Sequence, residues 1–364
     1  MSNQDYLKPP SKKYKIEYIW LDGNNPQTLR SKTKILEHII VSDGNELNLP
    51  DWNYDGSSTK QAVTGNSEVI LKPRSVYNDP FQGDFLVICD TYTSEGSPLE
   101  SNNRKGLEDM ILNDKGTWYG FEQEYVMIDK NTDKPLGWPE GVESYPKPQG
   151  DYYCGVGYNH VKSGREIAYK HLDLCLKAGI NISGINSEVM LGQWEYQVGP
   201  VSALEGSDQL WVSRYILYRL GEEYGIGMNI DPKPVESNDW NGSGMHVNFS
   251  TEDMRNQDNI KRGKSIEMIE EACRKLEKTH KEHLEIYGKD NDKRLTGINE
   301  TSSMDNFSWG YGTREASIRI PMGVKELKVG YLEDRRPSSN ADPYLVVRKL
   351  IETICIEEDV EEYV

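Results

Sequence analysis

The stretch Phe121-Glu122-Gln123-Glu124-Tyr125 lies within a longer segment, Trp118 to Ile128, whose composition is typical of a β-strand. Glu122 and Glu124 are two residues apart, so both side chains would leave the same face of that strand. Two anions on one surface predict either a bound cation or a solvated outer face.

Outward from this strand, predicted strands and helices follow one another in blocks. Strands in blocks with helices between them favour an α+β domain over a Rossmann sheet. The segments are Gly164 to Ala178 and Ser207 to Tyr224, with helical periodicity; Gly184 to Val198, a hairpin; Met245 to Phe249 and Ser317 to Ile320, strands; and Ser265 to Tyr287, a long charged helix.

The first hundred residues have the pattern of a small, mostly β domain. Strand-like runs cover Lys15 to Asp22, Lys34 to Val41 and Phe85 to Thr91. The polar segment Gly96 to Gly106 is the best linker candidate, and an amphipathic helix is predicted from Arg104 to Leu112. We therefore predict a flexible segment over residues 1–13, a first domain over 14–100 and a second over 101–364.

Composition argues against several kinds of partner. The 364-residue chain has a formal net charge of −17, which would repel nucleic acid and anionic membranes. Residues 1–13 lack an apolar signal region, and no run approaches the roughly 20 apolar residues of a membrane span. Five scattered cysteines without a Cys-x-x-Cys pair predict free thiols. We expect a cytoplasmic protein that binds neither nucleic acid nor membrane.

The predicted hairpin carries a second pair of glutamates. If its loop has two or four residues, the register places Glu188 directly opposite Glu195, although Leu191 is a poor residue for such a tight turn. Like charges in this position repel, and a divalent cation would remove the penalty because hard cations prefer carboxylate oxygens. The hairpin therefore favours the cation site over the solvated face.

A glycine-rich turn leads into another predicted strand over Asn241-Gly242-Ser243-Gly244-Met245-His246-Val247-Asn248. His246 and Asn248 would share one face of that strand. A single strand histidine is more often structural than a ligand, and the glycines fit either close approach to a ligand or a plain turn. These residues alone leave both alternatives open.

The C-terminal third is rich in arginine beside carboxylate. Guanidinium groups suit phosphate and carboxylate ligands, and a metal with several arginines suits phosphoryl transfer. Surface salt bridges are the alternative for each arginine taken singly. The residues are Arg294, Glu300, Arg314, Arg319 and the run Glu333-Asp334-Arg335-Arg336-Pro337.

Together these segments resemble the glutamine synthetase family, in the shorter type found in eukaryotes and some bacteria, from about Tyr14 to the C-terminus. The resemblance is specific because several motifs occur in the family's order. Besides the segments above, they are Trp52-Asn53-Tyr54-Asp55-Gly56-Ser57-Ser58, Pro148-Gln149-Gly150, Tyr153-Cys154-Gly155-Val156-Gly157, Arg294-Leu295-Thr296-Gly297 and Ser317-Ile318-Arg319-Ile320-Pro321.

The resemblance implies an N-terminal β-grasp domain and a larger catalytic domain with an antiparallel sheet and flanking helices. It also implies a reaction in which ATP phosphorylates the side chain of L-glutamate and ammonia displaces the phosphate, giving L-glutamine. The family pattern includes at least two Mg²⁺ or Mn²⁺ ions per site. It further implies a homo-oligomer of stacked rings, expected to be a decamer, with active sites between adjacent subunits.

By the same resemblance, each site residue receives a role. Glu124, Glu188 and Glu195 would hold the metal near glutamate, and Glu122, His246 and Glu333 the metal near the ATP phosphates. The glutamate clamp would be Asn241, Gly242, Arg294 and Arg335. ATP would contact Trp118, Asn248, Ser250, Arg314 and Arg319. The catalytic residues would be Arg314, Glu300 on a mobile flap and Asp55 from the neighbouring subunit, the last two binding ammonium.

Three positions depart from the family pattern. Asn299 stands where histidine is common, Glu315 stands where a small residue is usual, and the segment from Pro234 to Trp240 is about one residue longer. Either substitution could alter phosphate affinity.

Two other functions fit the chain: ligation of glutamate to another amine, and a non-catalytic, ring-forming structural role. Loss of metal ligands would mark the structural role, and every ligand position is filled.

Overall fold

The computed structural model describes residues 12–41, 47–139, 146–161, 163–237, 239–258 and 263–356. These form two compact units, Met1–Asn102 with Lys177–Gly179, and Asn103–Leu176 with Ile180–Val364. Most of the predicted flexible segment 1–13 lies outside the described residues. The predicted domain ranges 14–100 and 101–364 stay predictions.

The first unit is built on a five-stranded sheet in the order β2-β1-β7-β6-β5, in which β1 and β7 are parallel. Ile16, Tyr18 and Trp20 alternate along β1, so they share the face that packs into the core of this unit. The strands are β1 Tyr14–Leu21, β2 Leu29–Leu36, β3 Ile40–Val41, β4 Leu47–Asn48, β5 Trp52–Asp55, β6 Glu68–Asn78 and β7 Phe85–Thr93.

The second unit contains the remaining helices and strands, except for the last two residues of α3, which belong to the first unit. They are α1 Asn103–Met110, β8 Trp118–Asp129, β9 Lys134–Pro135, α2 Tyr158–Val161, α3 Arg165–Ala178, β10 Ile182–Ser187, β11 Gln193–Val201, α4 Ala203–Tyr224, β12 Ile226–Asn229, β13 Met245–Ser250, α5 Glu252–Arg255, α6 Lys264–Lys278, α7 His280–Ile286, β14 Trp309–Tyr311, β15 Ile318–Ile320, α8 Met322–Leu327, β16 Leu332–Asp334 and α9 Pro343–Cys355.

Strand β8 is the centre of the sheet in the second unit. The main path runs β10-β11-β8-β13-β16-β15-β14, and β12 and β9 also pair with β8. Except for the parallel pair β14 and β15, these pairings are antiparallel. The described elements confirm the predicted α+β class, with an antiparallel-rich sheet and flanking helices.

Side chains of β8 alternate between two different environments. Gln123 is buried and points toward α4, where Arg214 donates to its Oε1 from Nε at 2.8 Å and from Nη2 at 2.6 Å. Arg214 is also fully buried and donates to the backbone oxygens of Ser339 and Ala341. The neighbouring glutamates of β8 therefore face the opposite side of the sheet.

The predicted hairpin register is wrong. Asn186, not Glu188, pairs with Glu195, and five residues, 188–192, connect β10 to β11. The loop is longer than predicted because Met190 and Leu191 pack into a buried cluster with Trp138, Trp240 and Val126. Burying these two side chains outweighs the preference for a tight turn.

Two further predictions about elements need correction. The long helix predicted over Ser265 to Tyr287 is two helices, because Thr279 has φ −102° and ψ 16° and its hydroxyl donates to the Lys275 carbonyl at 3.2 Å. The predicted run Lys34 to Val41 is likewise divided between the end of β2 and β3.

Replacing Gly192 by alanine tests the hairpin geometry. Gly192 has φ +92°, and an added Cβ would lie 2.9 Å from the Leu136 carbonyl oxygen. Gly96 has a similar φ of +89° with open space around it, so Gly96→Ala is a matched control for backbone strain alone. We expect Gly96→Ala to cost about 1 kcal/mol of unfolding free energy and Gly192→Ala about 2 kcal/mol more. Equal shifts in thermal unfolding would contradict this account of the loop.

Candidate active site

A polar cavity of about 360 Å³ opens over the glutamate-bearing face of the sheet in the second unit. Carboxylates and arginines from several strands and loops converge on it. The predicted residues that line it are Glu122, Glu124, Glu188, Glu195, Asn241, Gly242, His246, Arg294, Glu300, Arg314, Arg319 and Arg335.

A second cavity of about 370 Å³ adjoins the first and is lined mainly by apolar surface. The predicted ATP contacts Trp118, Asn248 and Ser250 line this cavity. Glu122 and Gln197 line both cavities. A ligand with an apolar ring and a charged tail could therefore extend from one cavity into the other.

Glu122, His246 and Glu333 form a compact group at the junction of three strands. His246 lies opposite Glu122 in the pairing of β13 with β8, and Glu333 of β16 pairs with the nearby Asn248. Ligand atoms of the three side chains all lie within 4.8 Å of one another. Burial lowers the pKa of His246 well below its ordinary value, which leaves a neutral imidazole suited to metal binding.

The other three glutamates are nearly enclosed. Glu124 and Glu195 are direct cross-strand partners on β8 and β11, and these two and Glu188 are each 8% exposed. Burial raises the pKa of Glu124 to about 7 and that of Glu188 to about 8. Burial, and then repulsion from Glu122, raises the pKa of Glu195 well above its ordinary value.

This donor set fits hard divalent cations. Carboxylate oxygens and a neutral imidazole are ligands that Mg²⁺ and Mn²⁺ accept, and closely spaced anions in a low-dielectric site need a cation to ionise together. Among the described residues, no lysine or arginine forms an ion pair within 4.0 Å with Glu122, Glu124, Glu188 or Glu195.

Three arginines that line the polar cavity form ion pairs with two glutamates. Arg319 donates to Glu333 Oε2 at 2.8 Å, and Arg335 donates to Glu333 Oε1 at 2.5 Å. Arg314, in the loop before β15, donates to Glu300 Oε2 at 3.3 Å. The odd spacing of Arg314 and Arg319 therefore does not keep them apart, because only Arg319 lies in the strand.

Arg294 is held against the backbone beside the polar cavity. Its Nη2 donates to the Arg335 carbonyl at 3.0 Å and lies 3.1 Å from His246 Nε2. Close approach is possible because Gly244 has no side chain: a Cβ there would lie 2.4 Å from Arg294 Nη2. The glycine-rich turn thus provides space for Arg294, whose role in binding glutamate stays a prediction.

Asp55 lies in the first unit at the start of a short 3-10 helix. Its carboxylate accepts from the Ser57 backbone N–H at 2.9 Å and from the Ser57 hydroxyl at 2.6 Å. The Ser57 hydrogen bonds lower the pKa of Asp55, so the carboxylate is ionised at neutral pH. Its predicted role in the site of a neighbouring subunit stays a prediction.

The departures from the family pattern occupy different environments. Asn299 lines the polar cavity, and its Nδ2 lies 3.4 Å from the Trp240 carbonyl. Asn299 and Glu300 both adopt left-handed backbone conformations, with φ of 54° and 61°. Glu315 is exposed and does not line the cavity.

Sequence reasoning missed several residues at the two cavities. The guanidinium of Arg255 lies 4.1 Å from the Trp118 ring centroid and donates to Ser250 Oγ at 2.9 Å. Tyr331 lines the same apolar cavity, while Gln193 lines the polar one. For Arg255, the sequence offered one signal: this residue follows the predicted ATP contact Ser250 by five positions, across the start of α5.

Comparison with known proteins shows the family. Residues 102–355 match the family model described as glutamine synthetase, catalytic domain. The chain is 50% identical to the glutamine synthetase of Panulirus argus, covering 97% of this chain and 96% of that protein. It is 46% identical to the mitochondrial glutamine synthetase 1 of Drosophila melanogaster, covering 97% of this chain and 86% of that protein. The chain therefore belongs to the glutamine synthetase family of ligases.

The relatives leave the compartment open. Their names include mitochondrial and chloroplastic proteins and a cytosolic isozyme from Pinus sylvestris, which is 46% identical over 95% of both chains. Within the described part of the chain, no helix combines the length and apolar character required to cross a membrane. The cytoplasmic location stays a prediction.

The raised pKa values predict how metal stabilisation depends on pH. Glu124 and Glu188 hold protons in the folded, metal-free protein that the unfolded chain releases above its ordinary pKa of 4.5. Their contribution to stability is therefore lost as the pH rises through about 7 to 8. A cation replaces those protons, so its affinity should rise by up to about tenfold per pH unit for each proton displaced.

Calorimetry measures this effect directly. We expect the rise in Tm produced by Mg²⁺, relative to a chelator, to be larger at pH 8 than at pH 6. Glu188→Gln should weaken that pH dependence, whereas Glu285→Gln, an exposed site on α7, should leave it unchanged. A metal-induced rise in Tm that is the same at both pH values would refute the coupling.

Proposed function

We propose that this protein is an ATP-dependent ligase that joins ammonia to the side-chain carboxylate of L-glutamate through a γ-glutamyl phosphate. The observation that carries the proposal is the pair of adjoining cavities, one apolar and one lined by carboxylates and arginines, with Glu122 at their boundary. Phosphoryl transfer to a carboxylate needs this combination of charge neutralisation and alignment.

The apolar cavity would hold the nucleotide. Trp118, Arg255 and Tyr331 offer flat surfaces for a base, and Asn248 and Ser250 offer polar contacts. The phosphates would then point past Glu122 into the polar cavity. There Arg314 and Arg319 would stabilise negative charge on the transferred phosphoryl group.

The glutamate substrate would lie beside the glycine-rich turn. Arg294 and Arg335 supply guanidinium groups for its α-carboxylate, with Asn241 and the backbone of Gly242 as neighbouring contacts. A Cβ at position 242 would lie 2.4 Å from the Pro232 carbonyl oxygen, so glycine is required for this close backbone approach.

Mg²⁺ or Mn²⁺ would be held in two groups. The proposed ligands are Glu124, Glu188 and Glu195 in one group and Glu122, His246 and Glu333 in the other. When bound, the ions would supply Lewis-acid stabilisation of phosphoryl and carboxylate oxygens. The protein's own carboxylates fix where that positive charge lies, and the low exposure of the site limits hydrolysis of the acyl phosphate.

Ammonium would bind at Glu300 together with Asp55 of an adjacent subunit in a ring, proposed to be a decamer of stacked rings. Two carboxylates would favour the cation and accept its proton before attack on the acyl phosphate. Glu300 lies at the mouth of the polar cavity, where its carbonyl accepts from Arg335 Nη2 at 3.4 Å. Closure of this segment would exclude water from the intermediate.

Two alternatives remain distinguishable by experiment. Another amine could replace ammonia, but a carboxylate at the cavity mouth favours a small cation. A structural role without catalysis would not require the buried carboxylates, whose ionisation is costly without a cation. The intact donor set therefore favours catalysis over the structural role.

A direct assay tests the proposal. Phosphate release and glutamine formation are measured with ATP, glutamate and either Mg²⁺ or Mn²⁺, with ammonium or methylamine as the amine. Glu124→Ala and Glu195→Ala should each lower kcat/KM at least about 100-fold, because each removes a proposed metal ligand. Glu285→Ala, on the exposed face of α7, should retain full activity. Product with methylamine but not with ammonium would overturn the ammonium assignment.

Mixed subunits test whether the site is shared. Asp55→Ala and Arg335→Ala should each be nearly inactive alone. If the site contains Asp55 of one subunit and Arg335 of the next, random co-assembly restores roughly a quarter of the sites. No recovered glutamine formation, with mixed oligomers demonstrated by two affinity tags, would refute the shared site.

A further inference from the structure

Four carboxylates of the polar cavity share one kind of neighbour, a neutral side-chain amide. Asn248 Nδ2 donates to Glu122 Oε1 at 2.8 Å, and Gln193 Nε2 donates to Glu124 Oε2 at 3.2 Å. In the hairpin, Asn186 Nδ2 donates to Glu188 Oε1 at 2.8 Å, and Gln197 Nε2 donates to Glu195 Oε1.

Glu333, the fifth carboxylate among the proposed metal ligands, has a different environment. Arg319 and Arg335 donate to its two oxygens at 2.8 and 2.5 Å. The four amide-bonded glutamates form no ion pair with lysine or arginine within the described ranges. Amides thus accompany four of the five proposed carboxylate ligands, and guanidinium groups accompany the fifth, Glu333.

The distinction has an electrostatic consequence. An amide N–H orients a carboxylate oxygen but adds no net charge, whereas a guanidinium would cancel the charge that attracts a cation. Within the described residues, the four glutamates bonded to amides form no ion pair with arginine or lysine. The negative charge that they gain on releasing their protons is therefore available to a divalent cation. Hydrogen-bonded partners of metal-binding carboxylates typically contribute 10–100-fold to affinity.

Gln197 links the two hairpin glutamates. Its Nε2 donates both to Glu195 and to Asn186 Oδ1, the latter at 2.8 Å, and Asn186 in turn donates to Glu188. A Cβ at Gly184 would lie 2.6 Å from Gln197 Oε1, so the glycine leaves room for this amide orientation. Gln197 therefore contacts Glu195 on β11 directly and is connected through Asn186 to Glu188 in the hairpin loop.

We propose that Asn186, Gln193 and Gln197 are positioning residues that orient the metal-binding glutamates without pairing them with a positive charge, with Gln197 as the central member. The expected effect of these residues on catalysis rests on the proposed function. Its consequence for metal affinity can be measured without substrates, so the two proposals can fail separately.

The decisive variant is Gln197→Met, which keeps side-chain length and removes the donor. We expect Mn²⁺ affinity, measured by titration calorimetry on the full-length protein, to fall about 10–100-fold. In assays, the apparent KM for the metal should rise by a similar factor, while kcat at saturating metal falls much less. Gln209→Met is the matched control, because Gln209 is a buried amide that donates to Glu205 on α4, outside both cavities.

A charged donor tests the importance of neutrality. Gln197→Lys retains an N–H donor but places a positive charge beside Glu195, so Mn²⁺ should bind at least as weakly as it does to Gln197→Met. Wild-type affinity in Gln197→Lys would overturn the charge argument. Wild-type affinity in both variants would overturn the positioning role, even if the enzyme makes glutamine.

Asn186→Leu provides a second test if the Gln197 variants do not fold. It removes the donor to Glu188 at a half-buried position of β10, and the same fall in Mn²⁺ affinity is expected. Unchanged affinity in a folded Asn186→Leu protein would contradict the inference. A chain that binds Mn²⁺ as predicted but makes no glutamine would refute only the proposed function.

Discussion

Mutual repulsion between buried glutamates is the constraint on which the rest of the second unit depends. Glu124 and Glu195 are paired across β8 and β11, and both lie in a site that excludes most water. Ionising both there is costly unless positive charge is supplied. Two arginines donate hydrogen bonds to Glu333, whereas side-chain amides donate to Glu122, Glu124, Glu188 and Glu195.

On the opposite face of β8, a buried arginine connects this strand to its neighbours by hydrogen bonds. Arg214 is fully buried, and its hydrogen-bonding partners on β8 and after β16 are neutral: Gln123 and the carbonyls of Ser339 and Ala341. Such a guanidinium is costly to bury, but it connects the central strand to a segment that follows Arg335. The position of the carboxylates in the cavity thus depends on polar contacts made on the opposite side of the sheet.

The strands that bear the predicted site residues can be predicted from the amino-acid sequence, because the alternation of side chains along a strand is a local pattern. Alternation placed Glu122 and Glu124 on one face, and the family motifs identified twelve residues that line the polar cavity and four that line the apolar one. Register was mispredicted because tertiary packing of Met190 and Leu191, not turn preference, sets the loop length. Arg255 and Gln197 were missed because their roles arise from neighbours distant in sequence or from side-chain orientation.

The alternating faces of β8 also restrict how this protein can change during evolution. Loops can gain residues at little cost in free energy, because their ends can adjust. Within β8, inserting or deleting one residue would exchange the two faces, turning Gln123 toward the cavity and driving its neighbouring glutamates against α4. Substitutions along β8 can therefore be tolerated. Insertions and deletions within the part of β8 that pairs with β11 and β13 would instead disrupt the cavity and the core together.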